Sequence, residues 1–149
     1  MPEDIHTSLW GRISDLISDD QFAVTQEIYD EMELFDGVTG DHIRSCTLEL
    51  VLEVGVSTWN WADYASEIAR MQLDHESYIS ESNGNRKGTI GLTDLSIIAL
   101  GKALDLPVVS METSAGNSPT KRRIPDMCII EGVDHLTFND FLRREGIRL

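Results

Sequence analysis

Apolar residues recur at helical spacing along much of the chain. The pattern predicts helices over residues 6–18 and roughly 41–54, where every third or fourth position is apolar and would face a core. The two stripes are Leu9, Ile13, Leu16 and Ile17, and Ile43, Cys46, Leu50 and Val54. A further helix is expected from near Trp59 to about Leu73. The first half of the chain is therefore predicted to be mainly helical.

Short apolar runs rich in β-branched or aromatic residues predict strands over residues 22–24, 106–112 and 133–136. Helices are expected beside them, over 26–34 with Thr25 as cap, from Thr93 or Asp94 onward, from Ile124 onward with Pro125 in its first turn, and through Arg144 with Thr137 as cap and Gly146 as terminator. Alternating strands and helices of this kind build layered folds. The predicted fold class is α/β, with a small parallel sheet.

The composition is that of one globular domain over residues 1–149. Hydrophobic residues make up 41% of the chain, and none of its apolar runs approaches the ~18 residues that cross a bilayer. Residues 1–6 lack the basic start and the apolar stretch of a secretion signal. We therefore expect a soluble, cytoplasmic protein that does not contact a membrane. Residues 74–91 and 113–120 are predicted to be loops throughout.

The cysteine and histidine content argues against a disulfide framework or a zinc site. Cys46 and Cys128 lie far apart in the sequence, and the four histidines show no paired spacing. Both cysteines are expected to be buried thiols.

The charge distribution restricts where a nucleic acid could bind. The net charge is −14, and a basic surface normally supplies most of the non-specific affinity for a polyanion. Residues 1–120 carry 6 basic and 21 acidic side chains, whereas residues 121–149 carry 6 basic and 5 acidic ones. The cluster Lys121, Arg122 and Arg123 is the candidate phosphate contact. Its alternative interpretation is ordinary solvated surface charge.

Two carboxylates suggest a metal site. Asp94 lies where a helix is predicted to begin, and Glu112 follows a predicted strand. In open α/β sheets, ligands gather outside the carboxyl ends of the strands, so the two side chains could face each other. Each also has a structural alternative, since Asp94 could be a helix cap and Glu112 a loop charge. Glu31 is a third candidate, four residues after Glu27, with a solvated helix face as its alternative.

Three blocks of the sequence resemble PIN domains. Residues 22–32 resemble the strand-then-helix block V-x-x-E-L, with Glu31 at the family's glutamate. Residues 91–100 resemble A-D-x-x-I-I-A-x-A with Asp94 at its aspartate, and residues 108–112 resemble L-V-T-x-D with Glu112 in place of Asp. Residues 123–128 and 138–149 look like the carboxyl end of a toxin-like PIN nuclease subfamily.

The resemblance implies a three-layer α/β/α domain that acts as a metal-dependent endoribonuclease, the toxin of a toxin–antitoxin pair. Glu31, Asp94 and Glu112 would be both the catalytic residues and the ligands of Mg²⁺ or Mn²⁺, the cations that oxygen ligands prefer. RNA would be the substrate, with Lys121, Arg122 and Arg123 contacting it, and an antitoxin protein would be the partner.

One departure from the family pattern affects the expected activity. PIN domains open with a strand that ends in an aspartate, of the form L-D-x-N, and this sequence has no such block. The expectation is a chain without that strand and its ligand, either truncated or naturally short, and therefore weakened as a nuclease. An open sheet centre would also favour a homo-oligomer. Two alternatives remain, a non-catalytic PIN-like binding module and an acidic protein that mimics nucleic acid.

Overall fold

Residues 7–46, 50–84 and 89–147 are described by a computed structural model, in which the chain divides into two units. The first unit comprises Met1–Glu53 and Asp140–Leu149, and the second comprises Val54–Asn139. The expectation of a single domain over residues 1–149 stays a prediction. In the described part of the chain, no helix is long and apolar enough to cross a membrane.

The first unit contains three of the predicted helices: α1 (Thr7–Ser18), α2 (Gln26–Met32) and α3 (Gly37–Ser45). The hydroxyl of Thr25 accepts a hydrogen bond from the Ile28 amide at 3.4 Å, so the predicted cap of α2 is confirmed. The core of this unit consists of Ile17, Val24, Tyr29, Ile43, Cys46, Leu50 and Val51.

Two predictions in this unit are wrong in extent. The expected strand 22–24 is reduced to one parallel bridge between Val24 and Val51. The expected helix 41–54 instead ends at Ser45, and Val54 is exposed. Leu50 is again helical and accepts a hydrogen bond from the Val24 amide at 2.8 Å, but the extended backbone that the bridge requires at Val51 keeps a helix from continuing to Val54. Residues 47–49, which the predicted helix included, lie outside the described residues.

The second unit begins with two helices joined by a structured connection. Helix α4 spans Trp61–Asp74 and α5 spans Leu92–Leu104. Between them lie a 3₁₀ turn at Glu76–Tyr78 and a parallel bridge between Ile79 and Ile90, so the prediction of loop throughout 74–91 is wrong. Both bridge residues are buried, so their packing anchors this segment on the core of the unit. Residues 85–88 lie outside the described residues.

A small parallel sheet follows α5 in the sequence. Strand β1 (Val108–Ser110) pairs with β2 (His135–Thr137), and α6 (Ile124–Glu131) is the helix that connects them. The α/β class with a small parallel sheet is therefore confirmed, whereas the three-layer arrangement stays a prediction. Both strands are shorter than predicted, and Thr137 is the last strand residue before α7 (Phe138–Arg144). Gly146 follows α7 with a φ of +66°, in agreement with its predicted role.

Close packing fixes α5 against β1. A Cβ atom on Gly101 would lie 2.8 Å from Val108 Cγ2 and 3.0 Å from the Leu106 carbonyl oxygen, so a larger residue does not fit without a shift. The Leu106 amide donates to the Gly101 carbonyl at 2.9 Å and reverses the chain after the helix. Because of this reversal, the N-terminus of α5 lies towards the carboxyl end of β1.

Candidate functional site

Two carboxylates hold the N-terminus of α5. The amide of Gly91, the N-cap residue, donates to Asp94 Oδ2 at 3.2 Å, and the Leu92 amide donates to both carboxylate oxygens of Glu81 at 3.1 and 3.2 Å. The helix begins at Leu92, so the expectation that Thr93 or Asp94 begins it is wrong by one or two residues. Asp94 is the third helical residue and bonds back to the cap, and the amides at a helix start lack intrahelical partners.

Glu81 is ionised in this setting. Burial raises the pKa of Glu81, but hydrogen bonds from its own amide, from the Leu92 amide and from the Ser80 hydroxyl together outweigh burial and hold that pKa below its ordinary value. Glu81 precedes the helix by 11 residues, and nothing in the local sequence indicates that it reaches the helix start.

Glu112 performs the same role at α6. Its Oε2 accepts a hydrogen bond from the Ile124 amide at 2.9 Å, and its own amide donates to Ser110 Oγ at 3.3 Å. The Ser110 hydroxyl is also hydrogen-bonded to His135 Nε2, at 2.8 Å across the two strands. Glu112 connects the end of β1 to the start of α6. The alternative interpretation, in which Glu112 is only a charge on a loop, therefore does not describe its role.

Asp126 is a fourth carboxylate at these helix starts. Its Oδ2 accepts hydrogen bonds from the amides of Arg123 and Ala115, each at 2.9 Å, and the Ser114 hydroxyl donates to Oδ1. Burial raises the pKa of Asp126. These three hydrogen bonds and the positive charge of Arg122 lower it by more than burial raises it, so the pKa lies below its ordinary value. An acidic residue just after Ile124-Pro125 was the available sequence signal.

Asp94 and Glu112 lie at the same end of the second unit. The N-terminus of α5 lies towards the carboxyl end of β1, and α6 begins at that end because it connects two parallel strands. The N-termini of two helices, the positive ends of their dipoles, lie beside these carboxylates. Glu31 lies on α2 in the first unit, where it is exposed. The convergence of all three side chains stays a prediction.

The basic cluster Lys121, Arg122 and Arg123 precedes α6 directly and so lies at the same end of the unit. The Arg122 guanidinium lies 4.6 Å from the centre of the Tyr78 ring and donates to the Ser118 carbonyl at 2.6 Å. Arg123 donates to the Thr113 carbonyl at 3.3 Å, and Lys121 is exposed. Arg122 is thus held in place, whereas Lys121 extends into solvent.

The donor types at this end suit a hard divalent cation. Carboxylate oxygens are the ligands that Mg²⁺ and Mn²⁺ prefer, and nitrogen or sulfur ligands would favour other metals. Within residues 7–46, 50–84 and 89–147, no group of three or more His, Cys, Asp or Glu side chains is arranged to hold a metal ion.

A second charged cluster lies at the other end of α6 and has no counterpart in the sequence analysis. The side chain of Glu131 is only 4% exposed. It accepts hydrogen bonds from Arg70 and His75 of the α4 end, both at 2.5 Å, and from Lys102 of α5 at 2.9 Å. The available signal was the position of Glu131, which falls on the buried face of α6, four residues after Met127.

The partners of Glu131 determine its charge state. Burial raises its pKa, but the hydrogen bonds from Arg70, His75 and Lys102 outweigh burial and lower the pKa to about 2. Hydrogen bonds from Arg70 to Glu131 and to Glu67 raise the pKa of Arg70. The cluster joins α4, α5 and α6 by charge-assisted hydrogen bonds and stabilises the second unit.

Comparison with known proteins places the chain in a family. No curated protein and no solved structure matches it. The family model described as "Domain of unknown function (DUF4411)" matches residues 2–149. The chain therefore belongs to the DUF4411 family.

Proposed function

We propose that this protein is a metal-dependent endoribonuclease of the PIN type, acting as the toxin of a toxin–antitoxin pair. The observation that carries the proposal is the position of Asp94 and Glu112 at the carboxyl end of β1, where α/β proteins bind ligands. The resemblance of residues 22–32, 91–100 and 108–112 to PIN blocks supplies the reaction class. The same resemblance implies a three-layer α/β/α arrangement and an antitoxin that binds the folded toxin.

Glu31, Asp94 and Glu112 would hold Mg²⁺ or Mn²⁺. When bound, the ion would polarise the phosphodiester and activate a water. The chain's own contribution is to orient the carboxylates. Backbone amides of Gly91 and Ile124 fix Asp94 and Glu112.

The basic cluster Lys121, Arg122 and Arg123 would bring the RNA backbone to this end. The remaining surface is strongly acidic, because residues 1–120 carry 21 acidic side chains and 6 basic ones. A polyanion would therefore approach from the basic side. Lys121 and Arg123 are both exposed, so their cationic groups are accessible to a phosphate.

Because Asp94 and Glu112 also hold helix starts, the test must separate structure from chemistry. Asp94→Asn and Glu112→Gln each keep a side-chain oxygen that can accept the amide hydrogen bond, but they remove the negative charge that a cation needs. Folding should therefore survive these changes while catalysis does not. Glu31→Gln is the third variant. Glu27→Gln, one turn earlier on the same exposed helix face, is its matched control.

The experiment measures cleavage of a mixed RNA pool with Mn²⁺, Mg²⁺ or EDTA. We expect cleavage that requires the metal, that is lost in the three site variants and that remains in Glu27→Gln. In parallel, Mn²⁺ should raise the melting temperature of the parent chain but not that of Asp94→Asn, because only the native state binds the ion. Cleavage that is insensitive to EDTA, or that survives Asp94→Asn in a folded protein, contradicts the proposal.

A second candidate is a binding module of the same fold without catalysis. It is favoured by the hydrogen bonds that Asp94 and Glu112 already accept from the backbone, since these use part of each carboxylate's capacity. This candidate predicts RNA or protein binding that depends on Lys121, Arg122 and Arg123, with no metal-dependent rise in melting temperature.

A further inference from the structure

The connection from α2 to α3 and the first turn of α3 carry three exposed apolar side chains. Leu34, Phe35 and Val38 are 76%, 56% and 71% exposed, and all three lie within five consecutive residues. We refer to residues 34–38 as the knuckle. Single exposed apolar residues are ordinary, but a group of large ones on a fixed turn is typical of an interaction site.

The knuckle has a fixed conformation. Gly37 has a φ of +77°, which favours glycine, and a Cβ atom on Gly40 would lie 1.7 Å from the Phe35 carbonyl oxygen. Arg44 donates to the carbonyls of Glu33 and Phe35 at 2.6 and 3.1 Å, and to Asp41 at 2.6 Å. The apolar side chains therefore extend from a backbone that the rest of the unit holds in place, which lowers the entropic cost of binding.

The surroundings of the knuckle are acidic. Residues 26–45 contain six acidic side chains and one arginine. That arginine, Arg44, is already paired with Asp41. Asp36 lies within the knuckle and is exposed, as are Glu27 and Asp30 on α2. The charge of this surface selects against acidic partners and attracts basic ones.

We infer that the knuckle docks a basic amphipathic segment of a partner protein. The apolar stripe of such a segment would cover Leu34, Phe35 and Val38, and its lysines or arginines would face Glu27 and Asp36. This binding mode is the packing of an amphipathic helix on an apolar surface, with charges at the rim. The inference does not depend on the metal site, because the knuckle, residues 34–38, includes none of the proposed ligands Glu31, Asp94 and Glu112.

The test uses a labelled synthetic helical peptide of Leu and Lys, about 18 residues long so that it forms five turns, with all Leu on one stripe. Binding is measured by fluorescence anisotropy in EDTA, so that the proposed metal chemistry plays no part. The double variant Leu34→Ser with Val38→Ser is compared with Leu73→Ser with Met111→Ser. Leu73 and Met111, each 80% exposed, lie in the second unit and serve as matched controls for lost apolar surface.

We expect the knuckle variant to bind the peptide at least about tenfold more weakly than the parent, which corresponds to ~1.4 kcal/mol. The control variant should bind like the parent. Added salt should weaken binding to the parent, and less so to Glu27→Gln with Asp36→Asn. Circular dichroism establishes that each variant is folded.

Three kinds of result would overturn the inference. The first is a binding result that does not depend on the knuckle, either absence of binding to the parent or equal losses in the knuckle and control variants. The second is equal affinity for a peptide with Glu in place of Lys. The third is a dimer of the parent in sedimentation that the knuckle variant abolishes, because a second copy would then be the occupant.

Discussion

Replacing Glu131 by Gln should destabilise the second unit, because the change removes a buried negative charge that Arg70, Lys102 and His75 contact. The fall of the Glu131 pKa from its ordinary 4.5 to about 2 corresponds to ~3 kcal/mol of stabilisation of the ionised form, at ~1.4 kcal/mol per pH unit. Removing one member of a buried charge pair costs about 3–5 kcal/mol when the remaining charge has no other partner.

The cost here should lie at or below the lower end of that range. Arg70 keeps Glu67 and Asp74 at 2.6 and 2.8 Å, and Lys102 keeps Glu67 at 3.8 Å. The Gln side chain can also accept one hydrogen bond. We therefore expect Glu131→Gln to lower the free energy of unfolding by ~2–3 kcal/mol at pH 7.

The effect should depend on pH in a defined direction. A carboxylate whose pKa is lower in the folded state stabilises the fold above its unfolded pKa, and this contribution disappears as the pH falls through the folded pKa. The relevant window is from 4.5 down to about 2. By pH 3, about 2 kcal/mol of the parent's advantage over Glu131→Gln should be lost.

Urea unfolding followed by tryptophan fluorescence measures this effect. In a Trp10→Phe background, the remaining tryptophans, Trp59 and Trp61, both lie in the second unit and report on it alone. Glu76→Gln, an exposed position in the same unit, is the control and should change the free energy of unfolding by less than ~0.5 kcal/mol. The reasoning is refuted if Glu131→Gln behaves like this control at pH 7, or if its deficit is as large at pH 3 as at pH 7.

Three further predictions concern packing, capping and thiol reactivity. Gly101→Ala should destabilise the chain by ~1–3 kcal/mol because its Cβ would lie 2.8 Å from Val108 Cγ2. Gly11→Ala, whose Cβ meets open space in α1, is the control and should stabilise the chain by up to ~1 kcal/mol. If both variants change the free energy of unfolding in urea in the same direction, the packing argument is contradicted. Asp94→Ala should cost ~1 kcal/mol through loss of the bond from the Gly91 amide, and Asp94→Asn should cost less in the same assay, so equal losses would exclude the capping role. Cys128 should resist a thiol reagent at pH 8 until the protein unfolds, because burial raises its pKa to about 12; rapid labelling of the native chain would show that this thiol is accessible.

The amino-acid sequence alone determined those elements whose signals are local. Helix α1 follows from apolar spacing within twelve residues, and α6 begins at Ile124, where Pro125 favours a first turn. Gly146 lies just beyond the end of α7 and adopts the left-handed conformation that commonly terminates a helix. The α/β class was predictable for the same reason, since each strand lies next in sequence to a helix that packs on it.

Tertiary structure decided the features that depend on residues distant in the sequence. The predicted helix does not continue to Val54, because Val51 pairs with Val24 in a parallel bridge, a contact that no pattern within residues 41–54 indicates. The start of α5 was misassigned because its second carboxylate, Glu81, approaches from 11 residues away.

The candidate site shows the same division. Sequence identified Asp94 and Glu112 as acidic residues at the start of a helix and the end of a strand, but their amide partners depend on how the elements pack. Glu131 was missed because its partners are distant in the sequence: His75 lies 56 residues before it and Arg70 lies 61 residues before it. A buried charge is stable only where oppositely charged groups meet it, and folding brings those groups together from separate helices.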